Sequence, residues 1–587
     1  MNPQDIDNMH HVITPTKRFP IGCDDFGEII EQGFSFVDKS LLIRDIIWDS
    51  AKVILITRPR RFGKTLNMSL LHYFFAEQVL AYKTAGMFDH LQIAQFPECM
   101  AHQGKYPVIN LTLKDLQEDS YQNLLYRLGE AVSQMYLAHE ALRSSDQLRD
   151  EHKRHFDAYI DGLADENMLK LGLRNLIYYL YRGYRVKPIV LIDEYDTPIQ
   201  AGYQYQYYDK AVQLLRGFLG PALKNNAYLR KAVLTGVLRV AKEGMFSGLN
   251  NIRVYSVFNQ RYSEYFGFTE REVKELLTQA GLEDKAAEVA RWYNGYQISS
   301  NRMYNPWSIT YYLEEQGKSG CYWLNTSDNL LLKELVINAS LSLKAQFQTL
   351  LQGNQIKAII TDNFIFPELK EKEETLWALF VMAGYLTPLS EISKEIGHNE
   401  YTLDIPNQEI RYIYAQLICE WLAKERSALW YQNVIDQLLT GNIEEFALGM
   451  QHIMLQIASV HDLSHEPEAF YQGLMLGLTV YLKNPQYQIL SNRESGYGRY
   501  DIAIIPQNHK DLGIILELKS LSIEERQALN ADIEKLLVIA AQAAVKQIDD
   551  REYVTELQRL GFKRVCKIGL AFRGKKLKIE HAITSLP

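Results

Sequence analysis

The chain has little cysteine. Its five residues in 587 (Cys23, Cys99, Cys321, Cys419 and Cys566) include no CxxC pair. That scatter argues against a disulfide framework and a structural zinc site, and it fits a reducing compartment. Long apolar runs are also lacking. No stretch nears the roughly 18 residues that span a bilayer, and the opening MNPQDIDNMHHVITP has no apolar core of a secretory signal. No membrane partner and a cytoplasmic location are the expectations. Nor is there an excess of positive charge: 63 Lys and Arg stand against 71 Asp and Glu, for a net −8. A nucleic-acid partner must therefore meet a locally basic surface. Solenoid repeats and low-complexity linkers are absent from the sequence. His461 and His465 lie in loop-like sequence and read as a surface pair, not as metal ligands.

What is present is ordinary globular composition, 47% hydrophobic and 23% charged, in a chain too long for one core. Its 37 tyrosines read mainly as an aromatic-rich core. Up to about residue 270, apolar strands (KVILIT, YPVINLTL, KPIVLID, LRKAVLTG) alternate with amphipathic helices. That order predicts an α/β fold with a parallel sheet covered on both faces. From 271 to 460 helices dominate, with one β-like piece at YTLDIPN. From 461 to 587 a small α/β unit follows, with strands YQILSN, YDIAIIP, LGIILELKS and VCKIGLAF.

Residues 57–65 read TRPRRFGKT. Gly63, Lys64 and Thr65 stand between a strand and the helix LNMSLL, the setting in which backbone N–H groups and a helix N-terminus cradle phosphate. Lysine there reaches the β and γ phosphates, and the threonine hydroxyl ligates Mg²⁺. The glycine that usually opens such a loop is replaced by Arg58, followed by Pro59, whose fixed φ stiffens the turn. Arg58, Arg60 and Arg61 are expected to make the loop cationic, with Phe62 completing it. An accidental GKT is the rival reading.

The strand KPIVLIDEYD weighs against that accident. Asp193 at its tip is expected beside the loop strand, where it would hold Mg²⁺, and Glu194 would act as base on the attacking water. Thr235 ends the strand RKAVLTG and would sense the γ-phosphate or simply cap a turn. Arg239 and Lys242 would add positive charge to the transition state or serve as solvated charges. No NKxD-like guanine motif is present, which favours ATP.

FSFVDKSLLIRDII, ILITRPRRFGKTLNMSLL, VLIDEYDTPI and LTGVLRVAKEGMFSGLNNIRVYSV, in this order, resemble an AAA-ATPase-like family of prokaryotic proteins. WYNGYQI, MYNPWSI and DIPNQEIR are similar to further blocks of that family, so the resemblance covers nearly the whole chain. It implies that RPRRFGKT is the family's own Walker A loop, with VLIDE as Walker B. It also implies a P-loop NTPase of the additional-strand type, and a C-terminal domain like PD-(D/E)xK nucleases and restriction endonucleases.

Such a nuclease needs carboxylates around one or two Mg²⁺ ions and a lysine near the attacking water. Alternation along GIILELKS puts Glu517 and Lys519 on one face, and pairing with the preceding strand would bring Asp501 close to Glu517. By the resemblance, Glu468 on the first helix completes the metal set and Gln547 stands beside it on a later helix. Arg493, Arg499, Lys546 and Arg573 are candidates for a basic groove or plain surface charges. The expected protein binds and hydrolyses ATP with Mg²⁺, as monomer or homo-oligomer, and carries a metal-dependent nuclease that cuts DNA in processing or defence. The alternative is a regulatory ATPase whose C-terminal domain binds nucleic acid or protein without cleavage.

Overall fold

The computed structural model describes residues 18–240, 251–323, 354–361, 366–395, 398–414, 428–457, 487–495, 497–521, 533–573 and 576–586, with a few single positions between 335 and 350 and at 475 and 478. The chain divides into two compact units, residues 1–326 with 357–407, and residues 327–356 with 408–587.

The first unit is built on a five-stranded sheet, ordered Val108–Thr112, Ile189–Asp193, Lys231–Gly236, Val53–Thr57, Ile252–Tyr255, and all its pairings are parallel. Every residue of Val53–Thr57 and Ile189–Asp193 is buried, so both side-chain faces of these strands are covered. This corrects one expectation. The acid strand Ile189–Asp193 does not lie beside the loop strand Val53–Thr57, because Lys231–Gly236 is inserted between them. The edge strand Ile252–Tyr255, only half-buried along its length, has a pattern too short and polar to stand out in the sequence.

Helix Lys64–Phe75 packs against the acid strand, and helix Tyr121–Leu137 against Val108–Thr112. Helices Glu166–Tyr184 and Tyr208–Leu223 pack on each other. Two helix starts follow local chemistry: Ser120 accepts the backbone N–H of Asn123 as N-cap of Tyr121–Leu137, and Asp165 that of Met168 as N-cap of Glu166–Tyr184.

Beyond the sheet and the short hairpin of Gln78–Val79 with Tyr82–Lys83, the first unit carries the expected helices with two three-stranded sheets between them. Helix Glu270–Ala280 begins with a capping box of Thr269 and Glu272 and ends at Gly281 in the left-handed region. Phe268–Thr269, Asn301–Tyr304 and Tyr296–Ile298 form one antiparallel three-stranded sheet. Ile356–Ile360, His398–Asp404 and Thr387–Glu395 form another. Gly295 has φ +115°, and a Cβ there would lie 1.9 Å from the Pro406 carbonyl oxygen, so only glycine lets WYNGYQI pack on DIPN.

The second unit centres on a mixed sheet, ordered Tyr487–Ser495, Gly498–Pro506, Gly513–Ser520, Arg564–Arg573, Lys576–Ser585. Only Gly513–Ser520 and Arg564–Arg573 run parallel. Alternation divides it cleanly. Ile502, Ile504, Ile514, Leu516 and Leu518 share a core with Tyr431, Leu438, Phe446 and Met450 of helices Ala428–Thr440 and Ile443–Ile457. Ala503, Ile505 and Ile515 face Ile548 of helix Ile533–Asp550 on the other side. Gly569 permits that close approach, since a Cβ would come 2.1 Å from the Ala541 carbonyl oxygen. The two helices spanning 428–457, which the sequence groups with the middle region, thus cover the C-terminal sheet. The helix sequence PEAFYQGLMLGLTVYLK, with Glu468, lies outside the described residues. Among the described residues no helix is long and apolar enough to cross a membrane.

Candidate functional sites

The first site lies at the C-terminal ends of three adjacent strands. After Thr57 the chain turns through Arg61 (φ +65°) and Gly63 (φ +76°) into helix Lys64–Phe75, which starts on Lys64 itself. The Thr65 hydroxyl donates to Asp193 Oδ2 at 2.6 Å, and the Thr235 hydroxyl donates to Asp193 Oδ1. Burial and the neighbouring Glu194 charge raise the Asp193 pKa, and the two hydroxyl donors oppose that rise. Lys64 Nζ lies 3.2 Å from Glu194 Oε1 and donates to the Pro59 and Arg58 carbonyls at 3.2 and 3.3 Å. Glu194 holds φ +52°, an uncommon backbone for a side chain with a Cβ, and one the sequence does not announce.

Arg58 does not add charge to the face of this loop. Its side chain is fully buried, with Nη1 donating to the Thr57 and Tyr255 carbonyls at 2.7 and 3.0 Å and Nη2 to the Tyr262 carbonyl at 3.0 Å. Burial disfavours its charged form and lowers its pKa. Three carbonyl oxygens around one planar fork tie the loop base to the end of the edge strand. An arginine in the glycine's place therefore anchors the loop from beneath. Arg61 is also turned away from an open role, its guanidinium 3.6 Å from the centre of the Trp307 ring. Phe62 is buried edge-on against Tyr296 at 5.0 Å, and a Cβ at Gly384 would lie 2.9 Å from Pro59. Arg60 Nη2 donates to Gln200 Oε1 at 3.3 Å. The expected cationic loop is thus corrected to a loop packed along its outer side by the NGY and NPW blocks.

Two residues missed by sequence reasoning follow the acid pair. Asp196 is wholly buried and accepts from the backbone N–H of Leu238 at 2.8 Å and of Val237 at 3.1 Å. Burial, then the Glu194 charge, push its pKa up to about 6. Tyr195 donates to the Leu238 carbonyl at 2.6 Å and accepts from Val240 N–H at 3.1 Å. Together they fix the segment that carries Arg239. Among the described residues no hydrogen bond or ion pair joins Arg239 to Lys64, Asp193 or Glu194. Lys242 lies outside the described residues. The third acid of DEYD, Asp196, at the start of helix Thr197–Gln204 just after the strand, was the available signal.

The second site is on the C-terminal sheet. Glu517 is 2% exposed, and Gln547 Nε2 donates to its Oε1. Lys519 Nζ stands 3.5 Å from the same oxygen. Asp501 Oδ2 accepts from the Leu518 backbone N–H at 2.7 Å, beside the register pair Ile502–Leu516. The structure therefore brings Asp501, Glu517, Lys519 and Gln547 together. Among the described residues no group of three or more His, Cys, Asp and Glu side chains forms a ready metal cluster. The acids at both sites nonetheless offer oxygen donors only, the set that suits Mg²⁺.

Comparison with known proteins gives a family match over each of two stretches of the chain. Residues 20–246 match the model of a predicted AAA-ATPase family, and residues 466–582 match that of the PD-(D/E)XK nuclease superfamily. The chain is 25% identical over 511 residues to an uncharacterized protein in the vnfD 5′ region of Azotobacter chroococcum mcd 1, covering 84% of this chain and 88% of that one. Among solved structures it is similar to the Walker-type ATPase PABY2304 of Pyrococcus abyssi, at 12% identity and a TM-score of 0.32, covering 64% of this chain and 94% of that one. Each match takes in one of the two sites: Lys64, Thr65, Asp193 and Glu194 lie within 20–246, and Asp501, Glu517, Lys519 and Gln547 lie within 466–582.

Proposed function

We propose that the first unit binds and hydrolyses ATP with Mg²⁺, and that the second is a Mg²⁺-dependent nuclease acting on DNA, in processing or defence. The observation that carries the first half is Asp193, a buried acid on which the hydroxyls of Thr65 and Thr235 converge. The convergence of Asp501, Glu517 and Lys519 on one sheet supports the second.

Thr65 and Asp193 would hold the ion at the first site, and Asp501 and Glu517 at the second, with Glu468 as a further ligand. When bound, Mg²⁺ supplies charge neutralisation on phosphate oxygens at both sites. Lys64 is the cation placed for the β and γ phosphates, with the backbone of Arg60 to Gly63 as cradle. Glu194 takes the proton of the attacking water. Thr235 reads the γ-phosphate from the inserted strand, and Arg239, steadied by Tyr195 and Asp196, lends positive charge as phosphate is released. In the nuclease unit Lys519 orients the water that attacks the DNA phosphate. The nucleotide state gates cutting: the chain passes between the units at 326/327, 356/357 and 407/408, which gives a covalent route for that influence.

The test is hydrolysis of ATP and cleavage of plasmid and single-stranded DNA with Mg²⁺ or Mn²⁺, with and without ATP, in wild type, Lys64→Ala and Glu517→Ala. Cutting lost in Glu517→Ala and altered in Lys64→Ala supports an ATP-linked nuclease. ATP turnover with no cutting under any condition refutes the nuclease half and leaves a regulatory ATPase with a binding domain.

A further inference from the structure

Beside the C-terminal acids lies an open cavity of about 650 Å³. Its walls are the turn at Tyr497 and one face of helix Ile533–Asp550 with the residues just after it, among them Lys546, Gln547, Asp550, Arg551 and Tyr553. The volume falls within the usual range for small-molecule sites, about 300–1,000 Å³. Gln547 belongs to the cavity wall and to the acid site at once, because its amide donates to Glu517. A ligand seated here would therefore border the position where a phosphodiester is cut.

The chemistry of the wall is specific. Tyr497 is 72% exposed, the most exposed large apolar side chain among the described residues of this unit. Its backbone is fixed, however: Tyr497 N–H donates to the Arg551 carbonyl at 2.8 Å, and Arg551 Nη1 donates to the Tyr497 carbonyl at 3.2 Å. An aromatic face presented on a held backbone costs little ordering when a flat ligand stacks on it. Lys546 is exposed and, among the described residues, has no ion-pair or hydrogen-bond partner. With Arg551 it gives the cavity two cations against the single acid Asp550. The neighbouring acid Asp549 is engaged elsewhere, by Lys567. A ring face, two cations, an amide and a carboxylate are the set that meets a base, a phosphate and a base edge.

We propose that this cavity seats one unpaired nucleotide of a DNA strand, with the base on Tyr497 and its phosphate at Lys546 and Arg551. The second unit would then act on single-stranded or frayed DNA rather than closed duplex. This rests on the nuclease reading of the same site and deepens it. In a closed duplex the bases are stacked within the helix, and Tyr497 would have no ring to receive.

The experiment measures fluorescence anisotropy of labelled oligothymidine and of a duplex of equal length, with the full chain in a Glu517→Gln background and Mg²⁺ present. Single strand should bind tighter than duplex. Tyr497→Ala should weaken the single strand by about tenfold, the loss of one stacked base. Tyr497→Phe should retain binding, and Lys546→Glu should weaken it and flatten its salt dependence. ATP hydrolysis should be unchanged in all three. Preference for duplex, equal binding by Tyr497→Ala, or no binding by the parent protein overturns the proposal. Cleavage is assayed separately with Glu517 intact. If nothing is cut while the binding pattern holds, the nucleotide site stands and the nuclease reading falls.

Discussion

Asp193 and Glu517 are both acids on apolar strands, and both are nearly closed to solvent, but they are built in different ways. Asp193 is reached by hydroxyls 128 and 42 positions away in the chain. Glu517 is reached by a lysine 2 positions along its own strand and a glutamine 30 positions on. The first site exists only because the strand order brings three separate strand ends together. The second follows from strand alternation and one packed helix. The first is also ringed by neutral hydroxyls with its cation one residue away on Glu194, while the second has its lysine directly at hand. A carboxylate held by hydroxyls is poised to exchange a partner for an ion, whereas one held by an amide and a lysine keeps its orientation.

The largest expected effects separate the two sites. Glu194→Gln should lower ATP turnover by on the order of a hundredfold or more, the usual cost of losing a general base. Glu517→Gln should abolish cutting and leave the ATPase rate of the protein without DNA unchanged. Steady-state phosphate release beside nicking of plasmid reads both. ATPase loss in Glu517→Gln would show that the sites are not separate.

Next comes stability. Arg58→Ala removes the fork from three buried carbonyls and should destabilise the first unit by about 3 kcal/mol or more, seen as an earlier first transition in urea with ATP absent. An unchanged transition would deny Arg58 its anchoring role. Asp196→Asn should act with pH. The folded pKa of Asp196 is raised to about 6, so ionisation costs more in the folded chain than in the unfolded one. Wild type should lose melting temperature relative to Asp196→Asn as pH rises from the ordinary carboxylate range through about 6. The gap should be constant above that and absent at lower pH. A gap that does not vary with pH would mean that Asp196 does not titrate in this window.

The contrast also explains what the sequence makes legible. Glu517 and Lys519 share a face by simple alternation, and the Asp501 pairing needs only a neighbouring strand, so both could be placed from GIILELKS and YDIAII. Lys64, Thr65 and Asp193 were legible as residues, but their arrangement was not. Which strand lies between KVILIT and KPIVLID depends on the whole unit's packing, and no local pattern records it. Arg58 shows the limit most clearly. Its triplet of arginines reads as a charged surface, yet its partners are backbone carbonyls at Tyr255 and Tyr262, which carry no side-chain signature. The positive φ of Glu194 and the close approach at Gly295 are likewise properties of assembled neighbours.

The smallest expected effect sharpens the comparison at Asp193. Burial raises its pKa, and the hydroxyls of Thr235 and Thr65 pull it back down. Thr235→Val keeps the shape of the side chain and removes one of those two donors. The Asp193 carboxyl should then hold its proton to higher pH, and because only the ionised form can hold a cation, the acid limb of kcat/KM for ATP should move to higher pH. At alkaline pH, where Asp193 is ionised in both proteins, the loss should be modest. Thr235→Ser, which restores the hydroxyl, should return the limb toward wild type. A pH profile that drops evenly at all pH values would mean that Thr235 acts only through its contact with the γ-phosphate and does not tune the acid.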